Sequence, residues 1–271
     1  MGTAVRRRNG SAVAGALLAL PLALFLGLCV VWPLVRLAAG AFSSPGAFLE
    51  VVEAGRYRTS LVNSLVLSTA AAFVSVAIAI VPAWVFARER FPGRNLARTA
   101  VSLPLTFSGV LVGFLVIVML GRIGAVPKLA GLVTGRELFA GSAFTLAGLF
   151  AAYLYFEIPR AVMTLEAAFR HFPPELDAAA RSLGAGPIAR LLHVTLPYAA
   201  PALFSTLAVT FSASMGSFGV ALVLARRFTV APLEIYTELT AFLNDAVAGA
   251  LCIALAALTF GVDRLLARRA A

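Results

Sequence analysis

Six stretches of the chain are apolar almost without interruption: roughly Val13–Ala39, Leu61–Ala87, Thr99–Leu120, Ala143–Leu165, Ala199–Ala225 and Ala241–Val262. Each has about the ~20 residues an α-helix needs to cross a bilayer. None alternates apolar and polar positions, the pattern of a membrane β-strand. Backbone in lipid must satisfy its own hydrogen bonds, so uniform runs of this length predict helices. The pattern predicts an all-α, polytopic membrane protein with six transmembrane helices.

The polar connections are short. Residues 40–60 read as an outer loop with a turn at Ser44-Pro45-Gly46. Residues 88–98 read as a tight connection around Pro92-Gly93, and 121–142 and 226–240 as further outer loops. No internal repeat, low-complexity linker or soluble domain is visible.

Composition agrees: 61% of the 271 residues are hydrophobic, against about 45–50% in soluble domains. The formal charge of +10 would suggest nucleic acid in a soluble protein, but its placement argues otherwise. Arg6, Arg7 and Arg8, then Arg88, Arg90, Arg94 and Arg98, then Arg170, Arg181 and Arg190, then Arg264, Arg268 and Arg269 all fall on one side. The other side carries Arg56, Arg58, Arg122, Lys128, Arg136, Arg226 and Arg227, partly offset by Glu50, Glu53, Glu137, Glu234 and Glu238. Positive charge marks the cytoplasmic side. Both termini are expected there, with lipid and not nucleic acid as the surrounding partner. The first apolar run exceeds the ~7–15 residues of a signal-peptide core, so it reads as a retained helix. Cys29 and Cys252 fall inside runs and predict no disulfide. Asn9-Gly10-Ser11 matches a glycosylation sequon but falls on the cytoplasmic side.

The longest polar interruption is PPELDAAARSLGAGPIARLLHVTLP, Pro173 to Pro197, on that same side. Pro174 suits a helical first turn, and Glu175 and Asp177 there complement the helix dipole. Asp177 and Arg181 are spaced to pair. Leu176, Ala179, Ala180 and Leu183 form one apolar face, and Gly184 sits where a C′ glycine closes a helix. Pro187 starts a second short helix with Ile188, Leu191, Leu192 and Thr195 on one face, and Pro197 begins the fifth span. The result is a helix–turn–helix too short to cross the membrane and too apolar on one side to stand alone in water. Such an element suits docking.

This stretch resembles the cytoplasmic loop of permease subunits of binding-protein-dependent ABC importers, which has the form E-A-A, three residues, G, nine residues, I-x-L-P. Counting from Gly184, the E-A-A positions are Ala178, Ala179 and Ala180, and the I-x-L-P positions are Val194, Thr195, Leu196 and Pro197. The motif's glutamate position is thus an alanine, with Asp177 beside it as a substitute. The wider resemblance spans residues 57–265 as one permease domain, after a 1–56 segment with the first helix and before a 266–271 tail. TSLVNSLVLSTAAAF (59–73) is similar to the family's second-helix start. YFEIPRAVMTLEAAF (155–169) and FSASMGSFGVALVLA (211–225) are similar to its polyamine, aminoethylphosphonate, thiamine and ferric-ion branch. The resemblance implies a subunit of the bacterial inner membrane that forms half of a solute path. It also implies a separate ATPase dimer docked on 173–197, a second permease subunit, identical or related, and an extracytoplasmic solute-binding protein. The chain itself has no G-x-x-x-x-G-K-[ST] loop.

Inside the spans, Glu157 and Arg160 are three apart and can pair. An intramembrane charge pair suggests a pathway or gate, while Arg160 could also snorkel to the cytoplasmic surface. Ser212, Ser214 and Ser217, with Gly216 and Gly219, give the fifth span a small polar strip that either lines a path or bonds its own backbone. With Glu157 in the path, a polyamine or aminoethylphosphonate is the expected solute. Gly109 and Gly113 form a G-x-x-x-G that serves either local packing or a dimer seam. His171 and His193 have no metal spacing, and no cofactor is expected. An intramembrane enzyme would need a nucleophile and base at membrane depth, and no span holds a histidine. A self-sufficient secondary transporter commonly shows internal repeats, and none is visible.

Overall fold

The computed structural model describes residues 20–135, 139–226 and 228–270. Arg6, Arg7, Arg8, the sequon, the start of the first apolar run, Arg136, Glu137 and Arg227 lie outside the described residues. Those described form helices and connections, with no strand among them.

Helix α1 (Leu20–Ser43) contains a π turn at Gly27–Val31. Ser44 breaks the chain, Pro45 opens α2 (Pro45–Glu53), and an extended Ala54 leads into α3 (Gly55–Arg88). Residues 40–60 are therefore mostly helical and not a loop. No breaker lies between Gly55 and Leu61, so the second span starts early and runs 34 residues, about 50 Å at 1.5 Å per residue.

The third apolar run is not one helix. α4 (Arg94–Ser102) gives way to a 3-10 turn at Leu103–Thr106, and α5 (Gly109–Leu120) starts afresh. Pro104 lacks the N–H that would continue the ladder, and the Ser108 hydroxyl caps α5 by accepting from Leu111 N at 3.3 Å. α6 (Ala125–Thr134) follows in what the sequence suggested was loop, and α7 (Leu146–Arg170) is the fourth span.

The polar interruption forms α8 (Pro174–Ser182) and α9 (Pro187–Tyr198). The fifth span, α10 (Ala200–Met215), leaves α9 at a 76° bend. It stops at Gly216-Ser217 and resumes as α11 (Phe218–Leu224). α12 (Ala231–Thr237) continues into a π turn at Glu238–Phe242, and α13 (Asp245–Ala270) is the sixth span. Its predicted start at Ala241 moves inward because Leu243 is left-handed (φ 52°) and Asn244 accepts from Val247 N at 3.2 Å.

α3 packs most extensively against α7 and also holds α10, while α13 joins α10 to α1. The α3 seam is built from Ser68, Ala71, Ala72, Ser75, Ala79 and Ala83. Small residues let membrane helices approach closely. One buried cluster, with Trp84, Leu165, Phe169 and Phe211, sits at the α8–α9 end. A second, with Leu67, Val112, Leu149, Tyr153 and Leu224, sits above it.

Candidate coupling surface and solute path

α8 ends as its glycine requires. Gly184 has φ +80°, Ala185 N donates to Ala180 O at 3.0 Å and Gly184 N to Arg181 O at 2.9 Å. That pair of bonds is a Schellman closure. In α9, Leu191–Thr195 form a π turn just before Pro197, whose ring cannot pack against the carbonyl four residues back. The helix runs through Pro197 to Tyr198, so the fifth span begins at Ala200 and not at the proline.

The apolar face expected on this element divides in two. Ala180, Leu191 and Thr195 are buried against the spans. Leu176, Leu183, Ile188 and Leu192 are 41%, 88%, 73% and 51% exposed. Ala178, Ala179, Gly184 and Pro197 are exposed with them, and Val194 and Leu196 are half-buried. The motif positions thus border an uncovered apolar surface on a rigid bent hairpin.

Asp177 points the other way. It is buried and accepts from Arg181 Nε at 3.0 Å and from Arg190 Nη1 at 2.8 and 2.9 Å. Burial opposes its ionisation, but hydrogen bonds and charge from Arg190 and Arg181 outweigh that and hold the carboxyl below its ordinary value. Arg190 in turn faces the Trp84 ring of α3 at 6.0 Å. The substitute carboxylate braces the hairpin from within.

At membrane depth, Glu157 and Arg160 pair as expected, Arg160 Nη1 reaching both carboxylate oxygens at 3.1 and 3.2 Å. Glu157 is the buried member, 5% exposed at its side chain against 33% for Arg160. Ser214 Oγ is buried beside the Glu157 carboxylate without normal hydrogen-bond geometry. One turn outward, Tyr153 donates to Ser217 O at 3.2 Å, at the α10–α11 break. Glu157, Arg160 and Ser214 are therefore brought together, with the Ser217 backbone held one turn outward by Tyr153. Ser212 is not, because it lies on the opposite face of α10 and donates to Asp263 at 2.6 Å. The G-x-x-x-G pair packs within the chain: a Cβ on Gly109 would stand 3.2 Å from Val220 N, and one on Gly113 2.7 Å from Val223 Cβ.

Residues 75–271 match the family described as binding-protein-dependent transport system inner membrane component. The chain belongs to this family. It is a multi-pass permease subunit of an ABC importer, and not an enzyme. A probable molybdenum ABC transporter permease of Haloferax volcanii is 29% identical over 90% of this permease and 86% of its own length. The molybdenum transport system permease of Escherichia coli is 29% identical over 76% and 91%. The sulfate transport system permease of Salmonella typhimurium is 28% identical over 69% and 68%. These relatives correct the expected branch, since they are molybdenum and sulfate permeases and not those of polyamine, aminoethylphosphonate, thiamine or ferric ion. A chain of the bacterial alginate ABC transporter shares the fold with a TM-score of 0.83 at 18% identity, covering 96% of this permease and 94% of that chain. One from the methionine ABC transporter MetNI reaches 0.54 at 18% identity, over 78% and 96%.

Three members of the permease's polar framework escaped the sequence pattern. Arg190 lies 13 residues from Asp177, across a turn, beyond any helical spacing rule. Glu166 is fully buried and gathers Arg98 Nε at 3.0 Å, Arg170 Nη2 at 2.6 Å and Arg94 at 3.9 Å. It ties α4 to the end of α7, and its spacing of four from Arg170 was the one local signal that it had a partner. Glu238 collects Arg56 and, at 2.9 Å, the Tyr57 hydroxyl at the opposite end. Among the described residues no cluster suits a metal, and His193 bonds the Ala189 carbonyl at 3.1 Å.

Proposed function

We propose that this permease supplies half of the path for a tetrahedral oxyanion, molybdate or sulfate, and docks its ATPase through the exposed face of α8 and α9. The observation that carries this reading is the uncovered apolar surface of Leu176, Leu183, Ile188 and Leu192 on a braced hairpin at the arginine-rich end. Ala178, Ala179, Gly184, Val194, Leu196 and Pro197 shape that surface, Ala180 packs beneath it, and Asp177 supports it from behind. Both termini lie on the same, cytoplasmic side. A second permease, identical or related, completes the path, and an external binding protein delivers the solute.

Charge supports an anion over a polyamine. Three carboxylates near the path are covered by arginine: Glu157 by Arg160, Asp177 by Arg181 and Arg190, Glu166 by Arg94, Arg98 and Arg170. This leaves no uncovered carboxylate among the three to hold a polycation at that end of the path. In the span, Arg160 is the more exposed member of its pair and offers the guanidinium fork that suits oxyanions. Glu157 holds it, and Ser214 and Ser217 sit alongside. Ser212 belongs to the α10–α13 contact.

The test is uptake by proteoliposomes that hold the permease with its ATPase. Radiolabelled molybdate or sulfate is expected to accumulate with ATP, and spermidine is not. Accumulation of spermidine alone would reverse the solute assignment, and recovery of the permease without any ATPase would remove the docking role.

A further inference from the structure

The root of the coupling hairpin holds more buried donors than acceptors. Arg88, the last residue of α3, lies with its guanidinium 4.4 Å over the Phe172 ring, and Phe172 meets Tyr198 edge-on at 5.0 Å. Phe172 lies just before the hairpin and Tyr198 ends it, so Arg88 touches one end directly and the other through the Phe172 ring. Yet Arg88 Nε and Nη2 are buried without a hydrogen-bond partner, and so is Arg190 Nε. Arg88 lies within electrostatic reach of Asp177, Arg190 and Arg181.

A buried donor without a partner is costly. Asp177 meanwhile spends part of its capacity on Arg181, whose side chain is 61% exposed and could exchange that contact for water at little cost. Arg190 is 8% exposed and has no such alternative. Of the two remaining arginines, then, the half-buried Arg88, whose Nε and Nη2 water does not reach, lacks the acceptor, and the exposed Arg181 holds it. Moving Asp177 from Arg181 to Arg88 would satisfy donors that water cannot reach.

We propose that Asp177 is the shared acceptor of a two-position switch. Arg190 stays bound in both positions, Arg181 holds the carboxylate in the arrangement seen here, and Arg88 takes it in the other. The exchange draws the end of α3 toward α8, and α3 is the helix that packs most extensively on α7 and also holds α10. Motion of the docked ATPase would thereby reach the helices carrying Glu157, Arg160 and Ser214. Arg88 is in this scheme a positioning residue, and the proposal rests on ATPase docking at α8–α9.

The experiment uses the complete importer purified with its ATPase. Arg88→Met is expected to assemble and hydrolyse ATP but to lower solute uptake per ATP by about tenfold, within the range of a typical coupling free energy. Arg88→Lys should recover part of that ratio. A wild-type ratio in Arg88→Met would overturn the switch. A second measurement leaves the cluster intact. Spin labels go on cysteines at Glu175 and Glu89, both exposed, with Cys29 and Cys252 replaced by serine. The 175–89 distance is expected to shorten when ATP is trapped, and an unchanged distance would overturn the proposal. Absence of ATPase from the wild-type preparation would instead overturn the docking role beneath it.

Discussion

Asp177 and Glu175 share the first turn of α8 and differ in every physical respect. Glu175 is exposed, while Asp177 is buried between two arginines. Removing one partner of a buried ion pair costs about 3–5 kcal/mol, because the other charge is left without a counterion. Asp177→Ala should therefore lower the thermal midpoint of the purified permease and its yield of bound ATPase, whereas Glu175→Ala should change neither. The same carboxyl titrates below its ordinary value, so its stabilisation is present above the unfolded pKa of about 3.9 and is lost as pH falls through the lower folded value. ATPase retention by wild type should not change between about pH 5 and 8 on account of this group. Glu166→Gln tests the neighbouring hub. Arg98 and Arg170 are more than a third exposed, so water screens them and the loss should be smaller, about 1 kcal/mol, read as a few degrees of thermal midpoint. Helical spacing made the Asp177–Arg181 pair legible in the sequence. The same spacing links Glu166 to Arg170, but nothing local encodes Arg190 on Asp177 or Arg94 and Arg98 on Glu166, which meet their partners only once the helices have packed.

The elements show the same division. Apolar runs announce where the chain enters lipid, but a run of apolar residues reads the same whether its helix is continuous or broken. Pro104 and Gly216-Ser217 are the physical cause of two breaks, and each lies inside a run that hydropathy alone joins into one span. The α8–α9 hairpin was more legible, because prolines and a glycine at helix ends have positional meaning. Gly184 has open space where a Cβ would stand, but its φ is +80°. A side chain there costs about 1–2 kcal/mol of left-handed strain and projects onto the docking face. Gly184→Trp should insert normally yet lose the ATPase in pull-down, while Gly186→Ala, in open space at ordinary φ, should retain it. Gly219 is a contrasting case: its Cβ would lie 3.1 Å from Val110 N, so Gly219→Leu should force α5 and α11 apart and reduce the folded yield in detergent.

At the scale of the whole molecule the proposed solute turns on the sign of the proposed path. On that reading the arginine-rich end around α8 and α9 is the positive, cytoplasmic one, and the single charge pair placed in mid-span by the sequence buries its acid and leaves its base partly open. From the sequence alone both members were candidates for the path, Glu157 attracting a polyamine and the two together an aminoethylphosphonate. Their unequal exposure favours Arg160 as the member a solute would reach. On the proposed reading, an oxyanion entering the span would gain a bidentate contact from a guanidinium already held in place by Glu157, so the side chain would be ordered before the solute arrives. Three variants separate the roles. Arg160→Gln removes the fork and leaves Glu157 buried without a counterion, so uptake should fall by at least about tenfold, with assembly also weakened. Arg160→Lys keeps the charge and loses the planar fork, so assembly should survive with uptake reduced. Glu157→Gln keeps a hydrogen-bond acceptor for Arg160 and removes negative charge from the path, so molybdate or sulfate uptake should persist or rise. A Glu157→Gln importer that assembles normally and carries no oxyanion would show that the acid, and not the guanidinium, is the group the solute needs.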